Sequence, residues 1–145
     1  MEISELTSYT EADFNELAYL MQVLDSSIKF DRDCLEGTIS HPTSHLYVMR
    51  DEGRIIGCYT LGIFFSPTGR KASIEDVVIH PHYQGQHLGR KMMEQALEEL
   101  RRMAPIHVQL TSRPHRVAAN RLYLSVGFKA KETNVYVKDI KLKKN

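Results

Sequence analysis

The sequence predicts an α/β (α+β) fold in which a mixed β-sheet is flanked by helices. Strand-like and helix-like apolar runs alternate along it in the order β-α-α-β-β-β-α-β-α-β. The 145 residues are 42% hydrophobic and 26% charged, a balance typical of globular proteins and unlike that of disordered chains. No internal repeat or low-complexity linker divides the chain. We therefore expect one domain over residues 1–145.

The first half predicts two helices and then a hairpin. Thr10 precedes acidic residues that suit the positive end of a helix dipole, so it is the expected N-cap of the first helix. Apolar residues then recur at helical spacing up to Leu24. A second helix is expected over 31–40, because Pro42 disfavours its continuation. Strands are expected over 45–50 and 54–65, around a turn at Gly53, and over 71–79.

The second half predicts a long amphipathic helix, two further strands and a short helix. The long helix covers 88–103, with an apolar stripe on one face and charges on the other, and it ends before Pro105. A short strand is expected over 107–110 and a helix over 117–126, closed by Gly127 in the left-handed conformation. Alternating apolar residues predict a final strand over 134–142.

The stretch IHPHYQGQHLGRKMM joins a strand to the long helix, and it suggests a cradle for an anion. The first amide groups of a helix lack intrahelical acceptors, and the dipole is positive there. Gly85 and Gly89 allow a sharp turn and a close backbone approach. Arg90 and Lys91 oppose the dipole unless an anion lies between them. An ordinary turn remains the alternative, as does a metal site built from three histidines, His80, His82 and His87.

The segment IEDVVIHPHYQGQHLGRKMM, followed by AANRLYLSVGF, resembles the GNAT family of N-acetyltransferases. Gln84 and Gly89 occupy the first and last positions of that family's turn, and Tyr123 stands four residues before its Gly-Phe pair. The chain departs from the pattern at two positions. His87 stands where the family usually has Gly, and Arg116 stands where it often has Asn.

The resemblance implies a GNAT fold, with a central, mostly antiparallel mixed sheet and about four helices. It implies that acetyl-CoA is the cosubstrate, that no metal takes part, and that the acetyl group passes to a primary amine of an unidentified acceptor. The cofactor-binding residues it implies are Val77, Val78, Ile79, Gln84, Gly85, Gln86, His87, Leu88, Gly89, Arg90, Arg116 and Asn120.

The resemblance also assigns the proton transfers that such a reaction needs. An alkylammonium is not nucleophilic until it loses a proton, and a thiolate leaves more readily when it gains one. Glu75 is the expected base, acting through water, and Tyr123 the expected acid. Because neighbouring strand residues point to opposite faces, Asp76 is not expected in the same cleft as Glu75. A solvated Glu75 and a core Tyr123 are the alternatives.

The basic loop before the last helix has two interpretations. Arg113, His115 and Arg116 could contact an anionic group of the acceptor or the cofactor's phosphates, or they could simply be solvated. The same fold could also serve as a non-catalytic acyl-CoA sensor, or as an interaction domain that binds no cofactor.

The remaining features favour a protein of the cytoplasm. The net charge of +1 gives no indication of a nucleic-acid partner. Cys34 and Cys58 form no CxxC pair and suit a reducing compartment. Neither a signal peptide nor a membrane span is visible. A homodimer through the last strands would fit the resemblance.

Overall fold

The computed structural model describes residues 1–143 as a five-stranded sheet with four α-helices and a short 3-10 helix. The strands are β1 Glu2–Glu5, β2 Ser44–Asp51, β3 Arg54–Ser66, β4 Gly69–Ile79 and β5 His107–Gln109. The helices are α1 Glu11–Leu24, α2 Arg32–Ser40, α3 Leu88–Arg101 and α4 Val117–Ser125, and the 3-10 helix is Pro81–Tyr83. Positions 144 and 145, the end of the predicted domain, lie outside the described residues.

The sheet is mixed and mostly antiparallel, as predicted. Its strands lie in the order β1-β2-β3-β4-β5. β1 to β4 pair antiparallel with their neighbours, whereas β5 runs parallel to β4. Glu52 and Gly53 form the tip of the β2–β3 hairpin, and both have positive φ, as the tight turns preferred in hairpins require.

Helices cover both faces of the sheet, so the protein has two hydrophobic clusters. One contains Leu17, Leu20 and Met21 of α1 and Leu35 of α2, and the other contains Met92, Met93, Ala96 and Leu100 of α3. Successive side chains of a strand pack alternately into the two clusters. Cys58 belongs to the first cluster and its neighbour Tyr59 to the second, because successive strand side chains point to opposite faces.

The predicted helix boundaries are confirmed within two residues, and local capping explains them. Thr10 Oγ1 accepts from the Asp13 amide, while the Asp13 carboxylate accepts from the Thr10 amide, which completes a capping box. Asp31 is the N-cap of α2, and its side chain accepts from the Cys34 amide. Gly127 follows α4 with φ of 105°, where a side chain would be strained. No helix within residues 1–143 is both long enough and apolar enough to span a bilayer.

The predicted final strand is wrong. Residues 129–143 carry no helix or strand. The large apolar side chains that predicted it are exposed: Val135, Tyr136, Val137, Ile140 and Leu142. An alternating pattern becomes a strand only where a sheet edge is available to pair with it, and β5, the nearest candidate edge in sequence, is three residues long.

Candidate active site

The site begins where two parallel strands stop pairing. β4 pairs with β5 only from Lys71, opposite His107, to Ser73, opposite Gln109. β4 continues for six more residues to Ile79, still paired with β3 on its other side. Its free edge therefore faces space rather than a strand, and two adjoining clefts open between this edge and the segments that follow β5.

The first cleft has a volume of about 850 Å³. The end of β4 forms one wall, the turn before α3 forms its base and α4 forms the opposite wall. Most of the predicted cofactor residues line it: Val77, Val78, Ile79, Gln84, Gly85, His87, Leu88, Gly89, Arg90 and Arg116. A cavity of this size, lined mainly by apolar side chains with polar groups at one end, suits a large organic ligand.

The N-terminus of α3 supplies the polar end of this cleft. His87 is the N-cap residue, but its side chain makes no capping hydrogen bond. Within residues 1–143 the structure gives the amide groups of Leu88, Gly89 and Arg90 no acceptor. Three unpaired donors at the positive end of a 14-residue helix are suited to bind an anion such as a pyrophosphate.

The backbone of this turn explains the glycine preference of the family pattern. Gly85 has φ of 79° and His87 has φ of 61°, so both lie in the left-handed region. Histidine tolerates this region better than most residues, yet it is strained there relative to glycine. The chain thus keeps the turn's conformation at position 87 without its usual residue.

One argument for an anion was wrong. Arg90 was expected to need a bound anion to offset the helix dipole. Instead its guanidinium donates to Glu94 Oε1 at 2.9 Å, one turn along α3, and to Ser125 Oγ at 2.9 Å. Lys91 donates to the Met1 carbonyl. Anion binding at this turn would therefore depend on the backbone amides rather than on unpaired cations.

The second cleft has a volume of about 500 Å³ and contains both acidic residues of β4. The expectation that Glu75 and Asp76 line different clefts was wrong. Glu75 lies opposite Thr60 and Val78 opposite Cys58, so the single residue Tyr59 faces two residues of β4. This β-bulge, in which Asp76 has φ of 53°, breaks the alternation and brings both carboxylates to one cleft.

The carboxylates of the second cleft have different surroundings. Glu75 is exposed and its Oε1 accepts a hydrogen bond of 2.7 Å from Ser73 Oγ. Although solvent also reaches Asp76, burial of its carboxyl group, together with the nearby Glu75 charge, raises its pKa. Asp25 lies across the cleft, and hydrogen bonds from Ser27 hold its pKa below the ordinary range.

Tyr123 lies where the two clefts meet. It lines both of them, as do Leu24, Val77 and Arg116. Its ring packs edge-on against Phe128 at 6.2 Å between centroids, and it also contacts the α3-side cluster. Burial raises the pKa of its hydroxyl, while the Arg116 charge acts in the opposite direction. Tyr123 is thus a core aromatic and a cleft residue at the same time.

Two predicted cofactor residues do not line the first cleft. Gln86 lies in the turn, but its side chain is directed to the His82 carbonyl. Asn120 donates to the carbonyls of Arg113 and Arg116 at 2.9 and 2.8 Å, so it fixes the loop before α4. Of the loop residues left open, His115 lines the first cleft and Arg113 the second.

Sequence reasoning missed several residues that shape the clefts. Val23 and Leu24 come from the end of α1, and Tyr83 lines the first cleft while donating to Asp51 at 2.6 Å. Ser112 lines the second cleft, and its Oγ is buried without a hydrogen-bond partner among residues 1–143. Ser112 could have been predicted as a cleft residue, because it lies in a polar loop directly after a strand of the sheet.

The three histidines of the turn are not grouped around a common point. His80 Nδ1 accepts from the His82 amide, and the His80 ring packs against Tyr19 at 5.1 Å. Across the described part of the chain, no three His, Cys, Asp or Glu side chains are grouped as metal ligands would be.

Comparison with known proteins identifies the family of the chain. The sequence model of the acetyltransferase (GNAT) family matches residues 7–128. An aminoalkylphosphonate N-acetyltransferase of Salmonella typhimurium is 25% identical over 134 residues, which cover 89% of this chain and 87% of that protein.

Solved structures share the fold. An aminoglycoside acetyltransferase from an uncultured soil metagenomic sample superposes with a TM-score of 0.81 at 19% identity, covering 97% of this chain and 95% of that one. A ribosomal-protein-alanine N-acetyltransferase of Brucella melitensis superposes with a TM-score of 0.75 at 17% identity, covering 97% and 100%. Because the family model spans most of the sequence and the fold agrees, the chain belongs to the acetyltransferase (GNAT) family.

Proposed function

We propose that this acetyltransferase uses acetyl-CoA to acetylate a primary amine, and that residues 1–145 form one N-acetyltransferase domain. The observation that carries the proposal is the meeting of two clefts at Tyr123, one with an anion cradle and the other with two carboxylates. The relatives named for aminoalkylphosphonate and aminoglycoside acetylation support an amine as the acceptor.

The size of the first cleft and the donors at its base support acetyl-CoA as the cosubstrate. The turn from Gln84 to Arg90, including Gln86 and His87, holds the pyrophosphate through backbone amides. The free edge of β4 at Val77, Val78 and Ile79 offers backbone groups to the amides of the pantetheine arm. Arg116 contributes its charge, and Asn120 acts by fixing the loop that carries Arg116. Acetyl-CoA supplies the thioester from which the acetyl group is transferred.

Glu75 is the proposed general base, and it takes the ammonium proton through water. An alkylammonium has a pKa of about 10, so a nearby carboxylate is needed to remove its proton at neutral pH. Asp76 lies in the same cleft, with a pKa raised by burial. It is therefore the rival for this role. Comparison of Glu75→Gln with Asp76→Asn decides between them, because only substitution of the residue that acts as the base should lower kcat strongly.

Tyr123 is the proposed general acid, and it gives its phenolic proton to the departing thiolate. Because burial raises its pKa, the hydroxyl stays protonated at neutral pH and is ready to donate. A main-chain amide near Val77 or Val78 stabilises the developing oxyanion.

The test is a thiol-release assay with acetyl-CoA over a panel of primary amines. Tyr123→Phe should lower kcat by about 100-fold or more, the usual range for loss of a general acid. Tyr9→Phe is the matched control, because Tyr9 lies before α1, outside both clefts, where its hydroxyl donates to Glu36. Equal turnover in Tyr123→Phe and wild type would refute the acid assignment.

The sensor alternative makes a different prediction for the same protein. A sensor binds CoA but releases no thiol with any amine, whereas an interaction domain shows no CoA binding. Calorimetry with CoA on wild type and on Gly85→Ala separates these cases. A Cβ at Gly85 meets no atom of the described residues within 4 Å, so a loss of affinity would come from the strained left-handed backbone or from contact between the Cβ and the coenzyme, and either cause places the coenzyme at this turn.

We also propose a homodimer and a cytoplasmic location. The exposed apolar residues after Asn134 support the dimer, because residues 1–143 of one chain leave these side chains uncovered. Light scattering should show a dimer for the full chain and a monomer after truncation at residue 132. The buried Cys58 thiol, whose pKa burial raises to about 12, and the unpaired Cys34 suit a reducing compartment.

A further inference from the structure

We infer that the acceptor is a small zwitterionic amine, with a carboxylate, phosphonate or phosphate a few bonds from its amino group. This inference rests on the proposed function and names the substrate class of the second cleft. That cleft has acidic groups on β4 and basic and hydroxyl groups on the loop after β5. A ligand that spans the second cleft contacts both its acidic side and its basic side.

The acidic side of the cleft suits the ammonium. Glu75 and Asp76 are brought together by the β-bulge, and neither makes an ion pair among the described residues. An ammonium seated beside them gains a charge-assisted hydrogen bond at the position where it must lose its proton.

The opposite side of the cleft suits an anion. Arg113 forms one loose ion pair, at 3.5 Å to Asp25 Oδ2, while the amide and hydroxyl of Ser27 both donate to the other oxygen, Asp25 Oδ1. A guanidinium has five donors in a planar fork, which match the oxygens of a carboxylate or phosphonate. Most donors of Arg113 are therefore available to a ligand.

Ser112 provides a second and independent indication. Its Oγ is buried and has no hydrogen-bond partner within residues 1–143, although it lines the same cleft. A buried hydroxyl without a partner is destabilising, so such groups are usually hydrogen-bonded to a ligand or to water. Because the Oγ itself has no exposed surface, the Ser112 side chain must rotate about χ1 to donate to an anionic oxygen held by Arg113.

The arrangement discriminates among amines. A simple alkylamine satisfies the carboxylates but leaves Arg113 and Ser112 unused. A polycationic amine places further positive charge on a side of the cleft where Arg113 and Arg116 outnumber the single carboxylate of Asp25. Only an acceptor with both charges uses both sides of a cleft of about 500 Å³.

The experiment compares matched amines by calorimetry and by thiol release. 2-Aminoethylphosphonate and β-alanine carry the anion, and propylamine lacks it. With saturating CoA, we expect at least one anionic amine to bind about tenfold more tightly than propylamine, because one hydrogen bond to a charged group is strong enough to account for that difference. The two anionic amines distinguish a phosphonate acceptor from a carboxylate one.

Variants locate the anion site. Arg113→Gln and Ser112→Ala should each reduce the preference for the anionic amine, measured as a ratio of kcat/KM values, by about tenfold. Arg101→Gln is the matched control, since the Arg101 side chain is 71% exposed and that of Arg113 is 69% exposed, but Arg101 pairs with Glu98 at the end of α3. This control should leave the ratio unchanged.

The outcomes separate the two proposals. Equal binding of propylamine and both anionic amines, or a ratio that Arg113→Gln does not change, overturns the zwitterion inference even if the enzyme turns over. Tight binding of an anionic amine that depends on Arg113, without thiol release, supports the anion site and refutes the proposed catalysis.

Discussion

The ion pair between Asp13 and Arg50 should be the strongest single polar contribution to the stability of the α1–β2 contact. Asp13 is 6% exposed, and its two oxygens accept from the two terminal nitrogens of Arg50 at 2.8 and 3.2 Å. Asp13 also completes the capping box with Thr10. The pair fixes the start of α1, the helix whose last residue, Leu24, lines both clefts.

The magnitude follows from the burial of the two partners. Removing one partner of a fully buried pair costs about 3–5 kcal/mol. The Arg50 side chain is 28% exposed and also donates to the Gly53 carbonyl, so part of its charge stays solvated. We expect Asp13→Asn, which keeps a capping oxygen, to lower the free energy of unfolding by about 2 kcal/mol. Asp13→Ala should cost about 1 kcal/mol more because it also loses half of the capping box.

Urea unfolding followed by circular dichroism measures this change, since the chain has no tryptophan. A loss of 2 kcal/mol should lower the urea midpoint by about 1 M. Glu11→Gln is the control, because Glu11 pairs with Arg32 in solvent and should shift the midpoint little. If Asp13→Asn shifts the midpoint no more than Glu11→Gln does, the reasoning is refuted.

The same pair gives a pH dependence with a definite sign. Hydrogen bonds from Arg50, with those from Thr10, hold the Asp13 pKa below its ordinary value despite burial. Between the lowered pKa and the ordinary value of about 3.9, the unfolded chain binds more protons at this residue. The stabilisation is therefore complete above about pH 4 and is lost as the pH falls through the lowered pKa. The difference between wild type and Asp13→Asn should shrink in that acidic range, and a constant difference would contradict the assignment.

Three further substitutions test the packing and the turn by the same unfolding measurement. Gly57→Ala should destabilise the protein by about 1–3 kcal/mol, because a Cβ there would lie 2.8 Å from Ile79 Cδ1 and 3.2 Å from the Val78 carbonyl oxygen. A neutral result would mean that β4 shifts to make room for the added methyl group. Tyr59→Phe should leave stability unchanged or raise it by about 1 kcal/mol, because the buried hydroxyl has no partner within residues 1–143; a clear loss would reveal a hidden hydrogen bond. His87→Gly should stabilise by about 0.5 kcal/mol through relief of the left-handed backbone, and destabilisation would show that the His87 side chain makes a compensating contact.

The fold was predictable because its signals are local. The capping residues Thr10 and Asp31 and the alternating strand pattern each depend on a few neighbouring residues. Such signals predicted most helix and strand boundaries to within about two residues. The final strand failed because its formation depends on a partner edge, which lies outside any local pattern.

The site was predictable in outline but not in geometry. Motif spacing indicated the turn before α3 and Tyr123, and the structure places both at the clefts. The bulge at Asp76 was not predictable, because an insertion in one strand is defined only against the register of its neighbour. The pairing of Arg90 with Glu94 could have been read from their four-residue spacing, which is favourable on any helix.

The early separation of β4 from β5 has a consequence for handling the protein. Among residues 1–143, no neighbouring strand pairs with one side of β4 from Glu75 onward. Exposed strands of this kind attract other chains and promote aggregation. A bound coenzyme would shield this margin and, by mass action, also raise the melting temperature. Preparations depleted of CoA should therefore be the first to precipitate on warming or concentration.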